Sequence, residues 1–141
     1  MWLKRKSGNG QAPVEQLGAL ESELMVRLWD QGEVSVRDLH VELAPRLAYT
    51  TIMTTLDRLY KKGLLDRRLA GRAFFYRPRI DKENYNRQLT QHLLGIAVQE
   101  SGSREAVLSS FVDYVSESDR KLLDELDELI KAKKRSLRRQ K

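Results

Sequence analysis

Residues with hydroxyl and thioether side chains lie close together at the start of a predicted helix near the middle of the chain. They are Thr50, Thr51, Met53 and Thr54. A threonine hydroxyl can hydrogen-bond to base edges or phosphates, and its methyl group can contact the methyl group of thymine. An exposed helix without a partner usually carries Glu and Lys rather than β-branched residues. We therefore predict that these four residues read bases, although threonines that only cap and solvate the helix would produce the same pattern.

Basic residues are concentrated in the same region. Between Arg58 and Arg79 the sequence has eight Lys and Arg residues and one acidic residue, Asp66. Cations at this density can neutralise nucleic-acid phosphates. The residues predicted to contact phosphate are Arg46, Tyr49, Arg58, Lys61, Lys62, Arg68 and Arg72.

Apolar residues at helical spacing predict three helices, over residues 17–31, 36–43 and 49–62. Gly32 and Gly63 are predicted to end the first and third helices, and Ser35 to cap the second. On the third helix Ile52, Leu56, Leu59 and Tyr60 face one side and are assigned to the core. The threonines therefore lie on the remaining faces.

A β-hairpin is predicted after the third helix, with strands over 64–69 and 73–77 and a turn at Ala70-Gly71-Arg72. Phe74, Phe75 and Tyr76 could stack on the bases of a single strand. Consecutive strand residues point to opposite faces, however, so packing of the hairpin onto the helices is favoured. Three helices followed by a basic hairpin are the order of a winged helix-turn-helix, whose third helix enters the major groove of DNA.

Three further amphipathic helices are predicted in the C-terminal part. The first is capped by Asp81 and runs to about Gln99, the second lies around 106–115, and the third is capped by Ser116 and Ser118. Their apolar faces are too large for so small a core, which favours a homodimer. The residues predicted at the dimer interface are Leu89, Leu93, Phe111, Leu122, Leu126 and Leu129.

The predicted fold is mainly α with a small β-wing, an N-terminal winged helix-turn-helix being followed by a C-terminal three-helix dimerisation region. Four segments are predicted: a flexible basic arm (1–16), a DNA-binding domain (17–79), a dimerisation domain (80–130) and a basic tail (131–141) expected to be frayed.

Charge is distributed unevenly along the chain. Residues 1–80 have a net charge of +5, residues 81–130 a net charge of −6, and the last eleven residues contain seven cations and no acids. This partition favours a nucleic-acid surface followed by an assembly region, although a solvated pattern without a partner stays open.

No apolar run is long enough to cross a membrane, so no membrane insertion is expected. The absence of cysteine excludes disulfides and thiolate metal sites and is compatible with a cytoplasmic location.

Several sequence blocks resemble the penicillinase-repressor group, the BlaI/MecI/CopY transcription repressors. The blocks are LGALESELMVRLW, VRDLHVEL, LAYTTIMTTLDRLYKKGLL and GRAFFYRP. The resemblance spans about Leu17 to Ile130. It implies a homodimeric repressor that binds pseudo-palindromic operators, often with TACA/TGTA half-sites, and occludes a promoter.

The resemblance also implies a release mechanism. Many members of the group are cleaved in the dimerisation helices after a membrane-bound sensor protease is triggered, and the best-known cleavage lies between an Asn and a Phe. The matching pair here is Ser110-Phe111, in which the Phe agrees and the Asn does not. The cysteine pairs of the copper-responsive branch are absent.

Other function classes agree less well with the sequence. The chain has only two histidines, His40 and His92, and lacks HExxH, GxSxG and phosphate-loop motifs, so we expect no enzyme activity, no cofactor and no dedicated metal site. The alternatives are a metal- or ligand-responsive winged-helix regulator and a winged-helix adaptor that binds protein.

Overall fold

The structure is a computed structural model that describes residues 1–3 and 16–140, so most of the predicted flexible arm lies outside the described residues. It divides into two compact units, Met1–His92 and Leu93–Lys141. The elements are α1 (Ala19–Gln31), β1 (Val34–Ser35), α2 (Val36–Leu43), α3 (Tyr49–Lys61), β2 (Leu65–Ala70), β3 (Ala73–Pro78), α4 (Lys82–Ser101), α5 (Arg104–Ser118) and α6 (Arg120–Arg139). The predicted fold class, mainly α with a small β-wing, is confirmed.

The core of the first unit lies between α1, α2, α3 and the sheet. Its most deeply buried side chains are Leu24, Met25, Leu28, Leu39, Ile52, Leu56, Leu59, Leu65 and Tyr76. The predicted inward side of α3 is therefore confirmed for Ile52, Leu56 and Leu59, whereas Tyr60 is partly buried against this core. Tyr76, the last of the three predicted hairpin aromatics, is fully buried, and burial raises the pKa of its phenol.

Local sequence signals determine where α2 begins and where α3 ends. The Ser35 hydroxyl accepts a hydrogen bond from the Asp38 amide while the Asp38 carboxylate accepts one from the Ser35 amide, which forms a capping box at the start of α2. After α3, Gly63 has a φ of 83°, and its amide donates to the Tyr60 carbonyl. The Leu64 amide reaches back to the Leu59 carbonyl, so the chain turns directly from α3 into β2.

The sheet is antiparallel, with strand order β1-β3-β2. Ala70 pairs with Ala73, so Gly71 and Arg72 form a two-residue turn with a φ of 63° at Gly71. Pairing of β1 with β3 was not predicted. A two-residue strand is too short to show a periodicity of its own.

The first residues of the chain contact the edge of this sheet. Leu3 forms an isolated antiparallel bridge with Arg67 on the outer edge of β2. Trp2 is half-buried. The backbone of Leu3 thus satisfies hydrogen-bonding groups on the edge strand, a contact that the predicted flexible arm did not include. The flexibility of the arm stays a prediction.

The last helix differs from its prediction at both ends. Asp119, rather than Ser116 or Ser118, is the N-cap of α6, because its carboxylate accepts the Lys121 amide while both serine hydroxyls donate to carbonyls within α5. The helix continues to Arg139, so the predicted frayed tail is wrong. Cations in the last turns of a helix interact favourably with its dipole, which supports this extension.

The domain boundaries predicted from the sequence stay predictions. In the first unit, however, Tyr85 and Leu89 of α4 pack on the winged-helix core, and the Trp29 indole donates to the Ile80 carbonyl at 2.9 Å. The Trp29 and Tyr85 ring centres are 5.4 Å apart.

Among the residues that the structure describes, no helix is both long and apolar enough to cross a membrane.

Substitution of Gly63 tests the turn between α3 and β2. We expect Gly63→Ala to lower the free energy of unfolding by about 1–2 kcal/mol, because a Cβ at positive φ is strained even where space is available. Gly63→Asn should cost less, since Asn tolerates this conformation. Urea unfolding measures both, and equal stability of the alanine variant and the parent chain would contradict the assignment.

Candidate nucleic-acid interface

The four predicted base-reading residues lie together on the outer side of α3. Thr50, Thr51, Met53 and Thr54 are all exposed, whereas the next threonine, Thr55, is buried. The Thr55 hydroxyl donates to the Thr51 carbonyl at 2.7 Å, which satisfies it inside the helix. Toward the end of α3, Lys61 is exposed on the side that Thr50 and Thr54 share.

Asp57 is an acid in the middle of this basic surface. Its carboxylate is 2.8 Å from the Lys61 ammonium and 3.1 Å from the Arg67 guanidinium. The Lys61 hydrogen bond, followed by the charges of both cations, holds the pKa of Asp57 below its usual value. Asp57 therefore stays ionised at neutral pH and competes with any phosphate for both cations.

The wing arginines are stacked on aromatic rings. The Arg67 guanidinium lies 4.0 Å from the centre of the Tyr60 ring and 4.9 Å from that of Phe74. Arg68 lies 4.6 Å from the Phe75 ring centre. Phe74 and Phe75 thus serve as platforms for arginines, and of the three hairpin aromatics only Tyr76 has the core-packing role favoured from the sequence.

Trp2 adds a further aromatic ring beside the wing arginines. Its ring centre lies 4.1 Å from the Arg77 guanidinium and 5.4 Å from that of Arg68. Arg77 is also 3.7 Å from the carboxylate of Asp66, which is buried. The sequence did not reveal this contact because Trp2 lies more than sixty residues from its partners.

Four of the residues predicted to contact phosphate have an acidic partner within the chain. Lys62 reaches Glu21 at 2.6 Å, Arg46 pairs with Glu23, and Lys61 pairs with Asp57. Arg68 hydrogen-bonds Glu33, its Nε lying 2.8 Å from the carboxylate. Lys62 and Arg46 are thereby held by α1 and would have to give up an ion pair to reach a phosphate.

The other three residues predicted to contact phosphate are Arg58, Arg72 and Tyr49. Arg58, on α3, and Arg72, at the wing tip, are exposed and form no ion pair among residues 1–3 and 16–140. Tyr49, at the start of α3, is 45% exposed and contacts His40 edge-on, with ring centres 5.6 Å apart. The structure thus leaves Arg58 and Arg72 without an internal counterion and ties Lys62 and Arg46 to α1.

Most residues predicted at a dimer interface are exposed in the single chain. Leu93, Phe111, Leu122 and Leu129 are between 41% and 68% exposed, and Leu126 is half-buried. Leu89 packs on the core of the first unit. Ser110 and Phe111 lie in the middle of α5, and both are exposed.

In the described residues, neither His40 nor His92 belongs to a group of possible metal ligands. His40 is engaged by Tyr49, as above. In the described part of the chain, no three His, Cys, Asp or Glu side chains are grouped as metal ligands would be.

Comparison with known proteins gives three findings. A family model described as "Penicillinase repressor" matches residues 17–132. "Transcriptional regulator BlaI" of Mycobacterium tuberculosis is 40% identical over 124 residues, which cover 86% of this chain and 85% of that protein. "Penicillinase repressor" of Bacillus licheniformis is 34% identical over 74 residues, covering 51% of this chain and 58% of that protein.

A solved structure also matches. It is described as the solution structure of the DNA-binding domain of the repressor BlaI, with 35% identity and a TM-score of 0.44. The match covers 48% of this chain and 84% of that chain.

The contrast between Arg58 and Lys62 generates a paired prediction. Arg58→Gln should weaken binding to duplex DNA and lower the slope of log K against log salt by about 1, because it removes an unpaired cation. Lys62→Gln should change this slope less than Arg58→Gln does, because Lys62 is already paired with Glu21. Loss of that pair should lower the free energy of unfolding by about 0.2–1 kcal/mol. DNA titrations across a salt series, combined with urea unfolding, measure both effects. The reverse order of the two slopes would contradict the assignment.

Proposed function

Because the chain belongs to the penicillinase repressor family, we propose that it is a homodimeric transcriptional repressor that occludes a promoter by binding operator DNA. The proposal rests above all on the outer side of α3, where residues able to read bases are exposed while Ile52 and Leu56 are buried. In this proposal Thr50, Thr51, Met53 and Thr54 contact base edges in the major groove.

The cations divide into two groups in this proposal. Arg58 and Arg72 contact phosphates directly, since neither is engaged by an acid in the described residues. Lys61, Lys62, Arg46 and Arg68 exchange an internal carboxylate for phosphate, which lowers their net contribution. Tyr49 supplies a hydroxyl at the start of α3. Phosphate contacts set the register of the protein on the duplex, and base contacts select the sequence.

Dimerisation is supported by the apolar surface of the second unit. Only Val115 is buried among the apolar side chains of its described residues, whereas large apolar side chains are exposed on all three of its helical segments. Exposed apolar area of this extent is typical of an interaction surface. Linking two winged helices makes binding of the second half-site effectively intramolecular, which raises the affinity for a palindrome.

The operator proposed here has two half-sites whose centres are separated by about 10 base pairs or a multiple of that spacing, as two-fold symmetry requires. TACA/TGTA-like half-sites follow from the family resemblance. Binding of such an operator would exclude RNA polymerase from the promoter.

Release of the repressor from operator DNA is proposed to follow loss of the dimer. The Ser110–Phe111 bond lies inside α5, so a protease acting downstream of a membrane-bound sensor would reach it only after local unwinding of that helix. Cleavage there would separate the winged helices from most of the exposed apolar surface while leaving α3 intact.

We propose the cytoplasm, where a promoter is accessible, as the location of the protein.

Operator binding is the first prediction of this proposal. Duplex DNA from the region upstream of the gene should bind much more tightly than scrambled duplex in a fluorescence anisotropy titration. Thr51→Val should then cost about 1–3 kcal/mol on the native duplex and little on the scrambled one, because it removes a hydroxyl while keeping side-chain shape. Equal binding of both duplexes by the parent chain would contradict the repressor proposal.

Dimerisation gives a second prediction. Leu129→Asp should convert the protein to a monomer and weaken operator binding at least tenfold, because Leu129 is 68% exposed in the single chain and the change leaves the protomer core intact. Val41→Asp, which alters a similarly exposed apolar residue on α2 (73%), is the control and should remain dimeric. Sedimentation equilibrium measures the oligomeric state. A dimeric Leu129 variant would exclude this face from the interface.

The cleavage site gives a third prediction. Ser110→Asn restores the Asn-Phe pair that the resemblance associates with cleavage, so it should speed release in cells that contain the cognate sensor protease. Phe111→Leu, which keeps an apolar side chain at the predicted dimer interface, should slow cleavage of this bond. Mass spectrometry of the fragments identifies the bond that is cut, and cleavage elsewhere in the parent chain would reject Ser110–Phe111.

A further inference from the structure

The C-terminal part of α6 carries a run of cations. Its residues from Lys131 to Arg139 include six Lys and Arg and no acids, and all of them are exposed. Because α6 is helical as far as Arg139, these charges have defined positions relative to one another.

Four of these cations share one side of the helix. At about 100° per residue, Lys131, Lys134, Arg135 and Arg138 fall within a stripe about 100° wide. We call these four residues the α6 basic stripe. Lys131 is paired with Asp127 and Glu128, at 2.9 and 3.6 Å. Lys134, Arg135 and Arg138 have no ion pair within the described chain, so most of the stripe lacks an internal counterion.

Most of the large apolar residues of α6 lie on the opposite side of the helix. They are Leu122, Leu126, Leu129, Ile130 and Leu137, whereas half-buried Leu123 lies at the edge of the stripe, next to Lys134. A second copy that covers this apolar side would therefore leave the basic stripe in solvent. The stripe is consequently available to a different partner in the assembled protein.

Like charges at i, i+3 and i, i+4 repel each other on a helix surface. Lys131 and Arg135 are spaced in this way, as are Lys134 and Arg138. A polyanion relieves this repulsion and releases its own condensed counterions when it binds. The stripe is about 10 Å long at 1.5 Å per residue. Duplex DNA presents one phosphate charge per about 1.7 Å of axis, so several phosphates fall within this length.

An anionic membrane surface fits less well. A helix that lies on a membrane inserts its apolar side, usually with aromatic residues, between the lipid headgroups. The apolar side of α6 contains no aromatic residue and is interrupted by Lys133. It is also the side that the proposed dimer would cover.

We propose that the α6 basic stripe is a second DNA-contacting surface, separate from α3 and the wing, that binds phosphates without reading sequence. This inference rests on the proposed operator-binding function and extends it. Lys134, Arg135 and Arg138 raise the affinity for any duplex that is long enough to reach them. They therefore strengthen binding to operator DNA and to unrelated DNA to the same extent.

The test uses the full chain and two charge-matched variants. Arg135→Gln/Arg138→Gln removes two cations from the stripe. Arg120→Gln/Lys121→Gln removes two cations from the other end of α6, about 22 Å away at 1.5 Å per residue. Gln keeps a high helix propensity, so both variants should remain helical. Sedimentation equilibrium confirms that each remains dimeric before binding is compared.

We expect the stripe variant to flatten the slope of log K against log salt by about 1 for each phosphate that it no longer binds. Its affinity at about 0.1 M salt should fall on the order of tenfold per phosphate, equally on operator and scrambled duplex. The variant at Arg120 and Lys121 should match the parent chain. Unchanged slopes in the stripe variant, with tight operator binding by the parent chain, would overturn the inference and leave the proposed function intact.

A second measurement does not depend on the stability of the charge variants. The chain has no cysteine, so Arg135→Cys creates a single site for a photo-activated crosslinker. Crosslinking to operator DNA is expected from position 135 and not from Arg120→Cys. The assignment to DNA would be overturned if position 135 gave no adduct. It would also be overturned if the parent chain bound anionic vesicles and the stripe variant did not. Absence of any binding of DNA by the parent chain would instead reject the proposed function itself.

Discussion

The burial of one side of α3 determines the arrangement of the whole N-terminal unit. Ile52, Leu56 and Leu59 are completely buried in the core that α1 and β3 also line, so the helix can neither rotate nor slide without exposing them. Burial of a Leu or Ile side chain is worth about 1.5–3 kcal/mol, which is more than a single surface ion pair usually contributes. The exposed side of α3 is therefore defined by what its inner side must bury.

Carboxylates organise the basic surface around this helix. Glu21, Glu23 and Glu33 each bind a cation that sequence reasoning assigned to phosphate. Asp57 binds Lys61 and Arg67 together. These acids keep the arginines and lysines in defined positions in the absence of nucleic acid, at the expense of part of their attraction for it. In the proposed complex, a surface of this kind would favour the orientation of the duplex more than its affinity.

The helices, the capping of α2, the glycine turn after α3 and the hairpin could be predicted because each depends on neighbouring residues. The apolar spacing of Ile52, Leu56 and Leu59 also indicated which side of α3 faces solvent. The pairing of β1 with β3, the Leu3–Arg67 bridge and the Lys62–Glu21 ion pair could not be predicted, since each joins distant segments with no local signal. The frayed tail was predicted because cationic residues at the end of a chain resemble solvated sequence; in the structure they continue α6. The base-reading and phosphate-contacting residues stay predictions whose side chains now have known exposure and partners.

The two tryptophans of the chain occupy very different surroundings. Trp2 lies over the guanidinium groups of Arg68 and Arg77 at the edge of the wing, whereas Trp29 is held by the Ile80 carbonyl and the Tyr85 ring where α4 begins. Their intrinsic emission therefore comes from two separate places, one beside the wing arginines and one in the packed base of the domain. With Trp29 replaced by phenylalanine, the remaining indole becomes a built-in optical probe of the wing that needs no attached dye.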